Sequence, residues 1–224
     1  MTSPTVGTAD TVLLDVDGTL VDSTYHHAVA WYRAFRAHDI DLPVWRVHRA
    51  IGMGGDMLVP FLVGDEVEQR IGDALREAWQ REYKPLLDEV SPLEGAAELV
   101  RSLKKQGFTV ALASSGEAEL TESSVQKLGI ADLLDASTSS NDAEQSKPAP
   151  DIFQAALTAA GGSRGIVVGD SVYDVQAAKA MGAACVCVRT GGFGVEELRA
   201  AGAVLVVDGP KELIDADWVA LAAS

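Results

Sequence analysis

The 224-residue sequence predicts an α/β protein in which a doubly wound parallel sheet carries a long all-helical insertion. Short apolar runs alternate with helical stretches along most of the chain, which is the pattern of a parallel sheet covered by helices. After the first apolar run, however, residues 24–90 show almost no strand pattern. A βα crossover needs one helix and short loops, and roughly seventy residues are too many, so this segment is predicted to be an inserted domain.

The opening strand and the insertion are both indicated by the spacing of their apolar residues. The run Thr11-Val12-Leu13-Leu14 is typical of a short buried strand, and Asp15 and Asp17 follow it before Gly18 turns the chain. In the insertion, apolar side chains recur at helical spacing in two stretches: Ala28, Trp31, Tyr32 and Phe35, then Val67, Ile71, Leu75, Ala78 and Trp79.

The rest of the chain alternates regularly between helix and strand after a Pro- and Gly-containing return at residues 91–95. The predicted strands cover residues 108–113, 133–137, 165–170, 184–188 and 204–207, and the predicted helices cover 96–106, 117–128, 151–160 and 175–181. The sequence therefore predicts a discontinuous core domain over residues 1–22 and 92–224 and an inserted helical domain over residues 23–91.

The composition is that of a globular protein, with 47% hydrophobic and 23% charged residues and a formal net charge of −15. This acidity argues against nucleic-acid and anionic-membrane partners, which favour a basic surface. No stretch approaches the roughly 20 apolar residues of a membrane span, and residues 1–10 lack the pattern of a signal peptide, so the cytoplasm is the predicted compartment. An anionic substrate must be attracted locally, by a metal ion, a lysine or backbone N–H groups. Cys185 and Cys187 are predicted to be buried strand residues rather than a disulfide.

The stretch Asp15-Val16-Asp17-Gly18-Thr19-Leu20-Val21-Asp22-Ser23 places two carboxylates where open α/β sheets bind their ligands. It resembles motif I, DxDGT[LV]xDS, of the haloacid dehalogenase-like (HAD) phosphohydrolases, whose core is a Rossmann-like sheet. The resemblance implies that Asp15 attacks phosphorus to form an aspartyl-phosphate, and that Asp17 acts first as general acid and then as base. It also implies Mg²⁺ as cofactor, held by the Asp15 side chain and the Asp17 backbone carbonyl.

Two further motifs of the family follow in the expected order. Ser114 ends a predicted strand, as in motif II, and the resemblance implies that Ser114, Ser115 and Gly116 bind the phosphoryl group. Taken alone, Ser114 could equally be a helix cap. Lys147, in Ser-Lys-Pro-Ala-Pro-Asp, matches motif III, which implies that its ammonium ion stabilises Asp15 and the charge of the transferring phosphoryl group.

The stretch Gly169-Asp170-Ser171-Val172-Tyr173-Asp174 matches motif IV, GDSxxD. The resemblance implies that Asp170 is a direct Mg²⁺ ligand and that Asp174 lies just behind it, orienting Lys147 or a metal-bound water. Carboxylates and waters are ligands that suit Mg²⁺. The alternative for Asp174 is an acidic residue at the start of a helix.

Three residues of the insertion are candidates for substrate contact, since the resemblance identifies the insertion as a helical C1 cap that selects substrate. His27, in His-Ala-Val-Ala-Trp, is expected either to face the site or to pack within the cap. Gly52 opens a glycine-rich loop, residues 52–56, that is either the specificity loop or a plain helix–helix turn. Arg49 is expected to meet a substrate carboxylate or second phosphate, or to lie on a helix surface.

The residues present favour one branch of the family. Asp17 argues against haloacid dehalogenases, which lack this second aspartate, and the position of Lys84 near the hinge argues against phosphonatases, which use a cap lysine. The sequence therefore predicts hydrolysis of a small phosphorylated metabolite, in the branch of phosphoglycolate phosphatases and β-phosphoglucomutase-like proteins. A sugar-phosphate mutase is an alternative, although the specificity loop lacks the arginine expected of one. A non-catalytic phosphate-binding protein and a phospho-acceptor module also stay open, as do monomer and homodimer.

Overall fold

A computed structural model describes residues 8–223, which form a six-stranded sheet whose neighbouring strands all run parallel. The strands lie in the spatial order β3-β2-β1-β4-β5-β6. Their bounds are β1 Thr11–Leu14, β2 Thr109–Ala113, β3 Ala136–Thr138, β4 Gly165–Gly169, β5 Ala184–Val188 and β6 Leu205–Val207. The predicted α/β fold with a parallel sheet is confirmed.

Strand register brings three strand ends to one edge of the sheet. β1 lies between β2 and β4, and its last residue is in register with Leu112 and Val168. The backbone N–H of Asp15 donates to the carbonyl of Val168 at 2.9 Å, which extends this pairing by one residue. Asp15, Ser114 and Asp170 follow these three strands, so they leave the sheet side by side.

Helices cover the sheet and build the insertion. The helices of the insertion are α1 Thr24–Ala37, α2 Val44–His48, α3 Gly55–Val63 and α4 Asp65–Tyr83, followed by a 3₁₀ segment at Lys84–Glu89. The helices that accompany the sheet are α5 Ala96–Lys105, α6 Ala118–Leu128, α7 Asp151–Ala159, α8 Val172–Ala180, α9 Val195–Ala201 and α10 Trp218–Ala222. Within residues 8–223, no helix has both the length and the apolar character needed to cross a membrane.

An apolar layer forms on each face of the sheet. On one face, Val12 packs in a cluster with Leu99 of α5 and Trp218 of α10. On the other, Leu13 packs in a cluster with Phe153 of α7. All five side chains are fully buried. Burial of both faces explains why the strands are continuous apolar runs rather than alternating ones.

Cys185 and Cys187 lie on β5 within one of these layers. Both are buried with free thiols, and their sulfur atoms are 3.8 Å apart, well beyond the roughly 2.05 Å of a disulfide. Their mutual hydrogen bond and their burial raise the pKa of Cys185, which keeps its thiol protonated and unreactive. The prediction of two buried strand cysteines is confirmed.

The insertion has an apolar cluster of its own, distinct from the two layers of the sheet. Phe35 of α1 and Leu75 of α4 are fully buried in it. Trp31 and Trp79 belong to the same cluster, with ring centroids 5.5 Å apart and an interplanar angle of 18°. The helical spacing predicted for both stretches of the insertion is therefore confirmed.

The insertion leaves and rejoins the sheet through two segments that run side by side. The backbone N–H of Asp22 donates to the carbonyl of Ser91 at 2.9 Å, and that of Leu93 donates to the carbonyl of Leu20 at 2.9 Å. An isolated antiparallel bridge lies between these two bonds. The chain therefore enters and leaves the insertion at adjacent positions.

Two predicted elements are shifted in the structure. α8 begins at Val172, earlier than predicted, because Ser171 and Asp174 form a capping box that starts the helix. β3 pairs only over Ala136–Thr138, because Leu133, predicted to begin this strand, is the last residue of a 3₁₀ turn, and Leu134 and Asp135 connect that turn to the strand.

Candidate active site

A buried ion pair lies at the carboxyl edge of the central strands. Asp15 directly follows β1 and is 3% exposed, and Lys147, in the loop before α7, is 1% exposed. The Lys147 Nζ donates to Asp15 Oδ1 at 2.5 Å and to Asp174 Oδ1 at 2.8 Å. Burial alone would lower the pKa of Lys147, but the charges of the two carboxylates outweigh it and raise the pKa. Lys147 is therefore an ammonium ion bridging two carboxylates.

Asp174 is fixed by the backbone at the start of α8. Its Oδ2 accepts hydrogen bonds from the Ser171 N–H at 3.0 Å and the Ser171 hydroxyl at 2.6 Å, while Oδ1 accepts from Lys147. A Cβ on Gly169 would lie 2.3 Å from the carboxyl carbon of Asp174, so this close approach requires glycine. Both oxygens of Asp174 are thus engaged within the protein.

Asp170 completes a cluster of carboxylates beside Asp15. Asp15, Asp170 and Asp174 each offer one oxygen, and these oxygens lie within 4.8 Å of one another. The Thr19 hydroxyl lies between two of them, 3.5 Å from Asp15 Oδ2 and 3.4 Å from Asp170 Oδ1. Gly18 has a φ of +73°, and a Cβ there would lie 2.4 Å from Asp170 Oδ2, so glycine alone fits against this carboxylate.

The charges of this cluster are unbalanced without a cation. Burial, assisted by nearby carboxylates, raises the pKa of Asp15 to about 7 even though Lys147 acts to lower it. Burial, together with Asp174 and Asp15, also raises the pKa of Asp170. A divalent cation would balance the excess negative charge, and an all-oxygen donor set suits Mg²⁺. Since both oxygens of Asp174 are engaged, Asp15 and Asp170 are the side chains that fit such an ion.

Asp17 lies at the cavity floor with its carboxylate held from the insertion. Its Oδ1 accepts a hydrogen bond from the Ser23 hydroxyl at 2.5 Å and lies 3.0 Å from His27 Nε2. The imidazole of His27 in turn stacks on Tyr83, with ring centroids 4.0 Å apart. Burial acts to raise the pKa of Asp17, but His27 and Ser23 outweigh it and lower the pKa. Asp17 is therefore ionised in the free protein.

The loop after β2 carries the three residues predicted to bind phosphate. The Ser114 hydroxyl is buried and accepts a hydrogen bond from the Gly116 N–H at 3.0 Å, while Ser115 and Gly116 line a cavity. The Ser115 hydroxyl is buried without a hydrogen-bond partner among residues 8–223. Such an orphaned group is costly unless a ligand satisfies it. The sequence resemblance names Ser115 without assigning a role to its hydroxyl, and the structure makes this hydroxyl a candidate.

This cavity, of about 330 Å³, opens above Asp15 and Asp17 and is bounded by the core and the insertion. The predicted site residues that line it are Asp15, Asp17, His27, Gly52, Ser115, Gly116 and Lys147. Ser114, Asp170 and Asp174 are buried next to these residues. The structure therefore brings the residues of all four motifs together.

Several residues of the cavity wall have no site role in the sequence prediction. Trp31 and Trp79 carry only a packing role there, and Arg76, Glu117 and Glu144 carry none, yet all five line the cavity. One signal was available, because Arg76 precedes Trp79 by three positions on a predicted helix and the two therefore share a face. Glu117 and Glu144 lie in loops, and no pattern in the sequence predicts that these loops border the cavity.

Arg49 is placed elsewhere than expected. It follows α2 and does not line the cavity. Its guanidinium lies over the ring of Phe193, 4.0 Å from the centroid, and its Nη1 donates to Glu197 Oε2 at 3.3 Å. The Tyr173 hydroxyl donates to the Arg49 carbonyl at 2.6 Å. The expected contact with a substrate anion is thus corrected, because this side chain already pairs with the segment around α9.

Gly52 lines the cavity, and its packing against the core explains why this residue is glycine. Its φ is +106°, and a Cβ there would lie 2.6 Å from the Ser171 hydroxyl oxygen and 3.1 Å from the Tyr173 ring. Close packing against the start of α8 therefore requires glycine at this position.

The chain is similar to known proteins over most of its length. The haloacid dehalogenase-like hydrolase family matches residues 9–182. The chain is 29% identical over 210 residues to N-acetylmuramic acid 6-phosphate phosphatase from Pseudomonas aeruginosa, covering 91% of this chain and 92% of the relative. It is 27% identical over 180 residues to validoxylamine A 7'-phosphate phosphatase from Streptomyces hygroscopicus subsp. limoneus, covering 80% of this chain and 84% of the relative. A crystal structure of a hydrolase from Pseudomonas syringae superposes with a TM-score of 0.86 at 31% identity, covering 91% of this chain and 95% of that one. This chain belongs to the haloacid dehalogenase-like hydrolase family.

Proposed function

We propose that this protein is a Mg²⁺-dependent phosphatase that hydrolyses a small phosphorylated metabolite through an aspartyl-phosphate on Asp15. The observation that carries the proposal is the buried Asp15–Lys147–Asp174 arrangement at the floor of a cavity that also exposes Asp17. Family membership supports it, as do the relatives named as phosphatases of small phosphate esters.

The phosphoryl group would bind between the loop after β2 and Lys147. The Ser115 hydroxyl, which is buried without a partner among the described residues, is a donor for a phosphoryl oxygen, and the Lys147 ammonium ion offsets negative charge. The Asp15 and Asp170 side chains and the Asp17 backbone carbonyl would hold Mg²⁺. When bound, this ion supplies charge neutralisation and orientation of the phosphoryl group.

Asp15 is suited to be the nucleophile because Lys147 fixes one of its oxygens at 2.5 Å and so orients the other. That oxygen would attack phosphorus in line as the bond from phosphorus to the leaving oxygen breaks. Asp17 would protonate the departing alkoxide. Although Asp17 is ionised in the free protein, a bound phosphate monoester adds negative charge beside it, which favours its protonation.

The second step reverses the role of Asp17. As a carboxylate after proton donation, it would remove a proton from the water that attacks the phosphorus of the aspartyl-phosphate. The bond from phosphorus to Asp15 breaks, inorganic phosphate leaves and the Asp15 carboxylate is regenerated. His27 and Ser23 hold Oδ1 of Asp17, so they position this carboxylate in both steps.

Residues 23–91 would act as the cap domain on a core domain of residues 1–22 and 92–224. The insertion has its own apolar cluster and covers the cavity with α1, α4 and the loop before α3. It also contacts the core across the cavity rim, where Asp56 Oδ2 accepts a hydrogen bond from the Ser146 N–H at 3.1 Å. Opening and closing of the cap would gate substrate entry and product release. Localisation of the protein in the cytoplasm remains a prediction from the sequence.

The proposal is tested by phosphate release from a panel of small phosphomonoesters, with Mg²⁺ and after chelation. We expect release to require Mg²⁺ and to fall by on the order of 10³-fold or more in Asp15→Asn. Asp132→Asn, which changes an exposed carboxylate outside the cavity lining, is the matched control and should retain the parent rate.

Other outcomes would identify the alternatives. Retained binding of inorganic phosphate without release from any ester would indicate a non-catalytic binding protein. Interconversion of sugar phosphates without release would indicate a mutase, for which the placement of Arg49 outside the cavity gives no support.

A further inference from the structure

The outer part of the cavity, beyond the catalytic carboxylates, has an unusual charge distribution for a site that binds anions. Among the described residues, the cationic side chains that line the cavity are Lys147 and Arg76. Lys147 is committed to Asp15 and Asp174 at the floor. Three further carboxylates, of Asp56, Glu117 and Glu144, line the wall, so among residues 8–223 Arg76 is the cationic side chain there that is placed to receive a second anionic group.

Acceptors of the protein already occupy all four terminal N–H groups of the Arg76 guanidinium. Its Nη1 donates to Glu68 Oε2 at 3.1 Å and to the Gly55 carbonyl at 3.3 Å. Its Nη2 donates to Glu68 Oε1 at 2.9 Å and to Asp73 Oδ1 at 2.8 Å. The four terminal N–H groups of an arginine are therefore all used, and two carboxylates neutralise its charge.

The pairing of Arg76 with Glu68 depends on a glycine within α4. Glu68 and Arg76 are two helical turns apart, and Gly72 lies between them on the same face. A Cβ on Gly72 would lie 2.3 Å from Glu68 Oε2, so a side chain at this position would block the path of the carboxylate. Glycine is unfavourable in a helix interior, and here it lets the carboxylate reach the cavity arginine.

The remaining wall suits hydroxyl groups and C–H surfaces. Trp31 and Trp79 stack on each other and are 4% and 8% exposed, so they add a small apolar surface to this wall, which can contact the C–H groups of a carbohydrate. Carboxylate oxygens of Asp56, Glu117 and Glu144 are acceptors for hydroxyl groups, and they repel a second negative charge.

From this arrangement we infer that the cavity selects phosphate esters of neutral polyhydroxylated molecules, such as sugars or cyclitols, and discriminates against esters with a second anionic group because Glu68 and Asp73 neutralise Arg76. The inference rests on the proposed phosphatase activity and specifies its substrate class. Carboxylated and doubly phosphorylated esters are then poor substrates.

The test compares pairs of esters that differ by one carboxylate. Sorbitol 6-phosphate is paired with 6-phosphogluconate, and glycerol 3-phosphate with 3-phosphoglycerate, and kcat/KM is measured for each with Mg²⁺. We expect the neutral member to be preferred by about tenfold or more in both pairs. In the double variant Glu68→Gln with Asp73→Asn, Arg76 is free to bind a carboxylate, and the preference should fall by about tenfold, mainly through KM of the carboxylated ester.

The control is Glu98→Gln, which removes the carboxylate partner of Arg101 on the exposed face of α5 and should leave both ratios unchanged. If the double variant does not fold, Asp73→Asn alone serves, since this side chain is 96% exposed, and a smaller fall in the preference is expected. Equal or faster hydrolysis of the carboxylated esters by the parent would overturn the inference while leaving the phosphatase standing. An unchanged preference in the folded variant would overturn the role given to Glu68 and Asp73. No release from any ester would instead refute the proposed function itself.

Discussion

The floor and the outer wall of the cavity both contain a cation held between two carboxylates, but the two arrangements differ in burial. At the floor, Lys147 is paired with Asp15 and Asp174, and these three side chains are at most 4% exposed. In the wall, the Arg76 side chain is 30% exposed and its partner Asp73 is 96% exposed. Desolvation makes an unpaired charge costly at the floor, whereas water can solvate the partners in the wall. A substitution at the floor is therefore expected to disrupt the proposed reaction and the fold, whereas a substitution in the wall can change substrate preference at a small cost in stability.

The largest effect should come from removing each cation in turn. Lys147→Met leaves two buried carboxylates without their counter-charge and should lower the free energy of unfolding by about 3–5 kcal/mol. Arg76→Met leaves partners that water can reach and should cost about 1 kcal/mol or less. Urea denaturation of both variants in the presence of a chelator measures the difference. Equal losses would show that burial does not separate the two arrangements.

A smaller effect is expected where the insertion supports the floor. His27→Phe keeps a ring stacked on Tyr83 but removes the nitrogen that lies 3.0 Å from Asp17 Oδ1. Because Asp17 is then held by Ser23 alone, kcat should fall by about 10- to 100-fold, less than expected for loss of the acid itself. Steady-state kinetics on the best ester measures this. His38→Gln, at the far end of the same helix, should behave as the parent, and a change confined to KM for His27→Phe would contradict a positioning role.

A further effect, on stability, is expected where the wall meets the core. Gly52→Ala places a Cβ against the Ser171 hydroxyl at a backbone φ of +106° and should destabilise the protein by roughly 1–3 kcal/mol. Gly209→Ala is the matched control, because its backbone is extended with a φ of −167° and its nearest neighbour would be 3.9 Å from the new Cβ. Thermal unfolding distinguishes them, and a Gly52→Ala variant as stable as the control would remove the packing explanation for this glycine.

The residues at the cavity floor were predictable from the sequence because their positions depend mainly on where the central strands end. Once β1, β2 and β4 are placed in one parallel sheet, Asp15, Ser114 and Asp170 must emerge at the same edge. The pairing of Lys147 with Asp174 was expected only from the resemblance to the family motifs, and the burial of both charges explains it. Helix α8 was predicted to start too late because the capping role of Asp174 was considered only as an alternative to its role in the site.

The wall was much less predictable because it depends on how helices are rotated and packed. Arg49 was a candidate for a substrate anion, yet it pairs with Glu197. Arg76 had no predicted role, yet it lines the cavity. Arg49 directly follows α2 and Arg76 lies within α4, and their positions in the sequence do not reveal which partner each will meet. The neutralisation of Arg76 depends on a side chain two turns away passing over Gly72, which is visible only in three dimensions.

The two segments that connect the insertion to the core lie side by side, and this has a consequence for how the insertion could vary. The insertion departs next to the point of its return, where Asp22 and Ser91 are joined by a hydrogen bond of 2.9 Å. A tight turn could therefore replace the whole insertion without altering the order or register of the strands. A different helical insertion, with other residues in its cavity wall, could be connected at the same two segments. Substrate preference could thus change with the insertion, while the carboxylates and lysine that we propose to bind phosphate stay where the sheet places them.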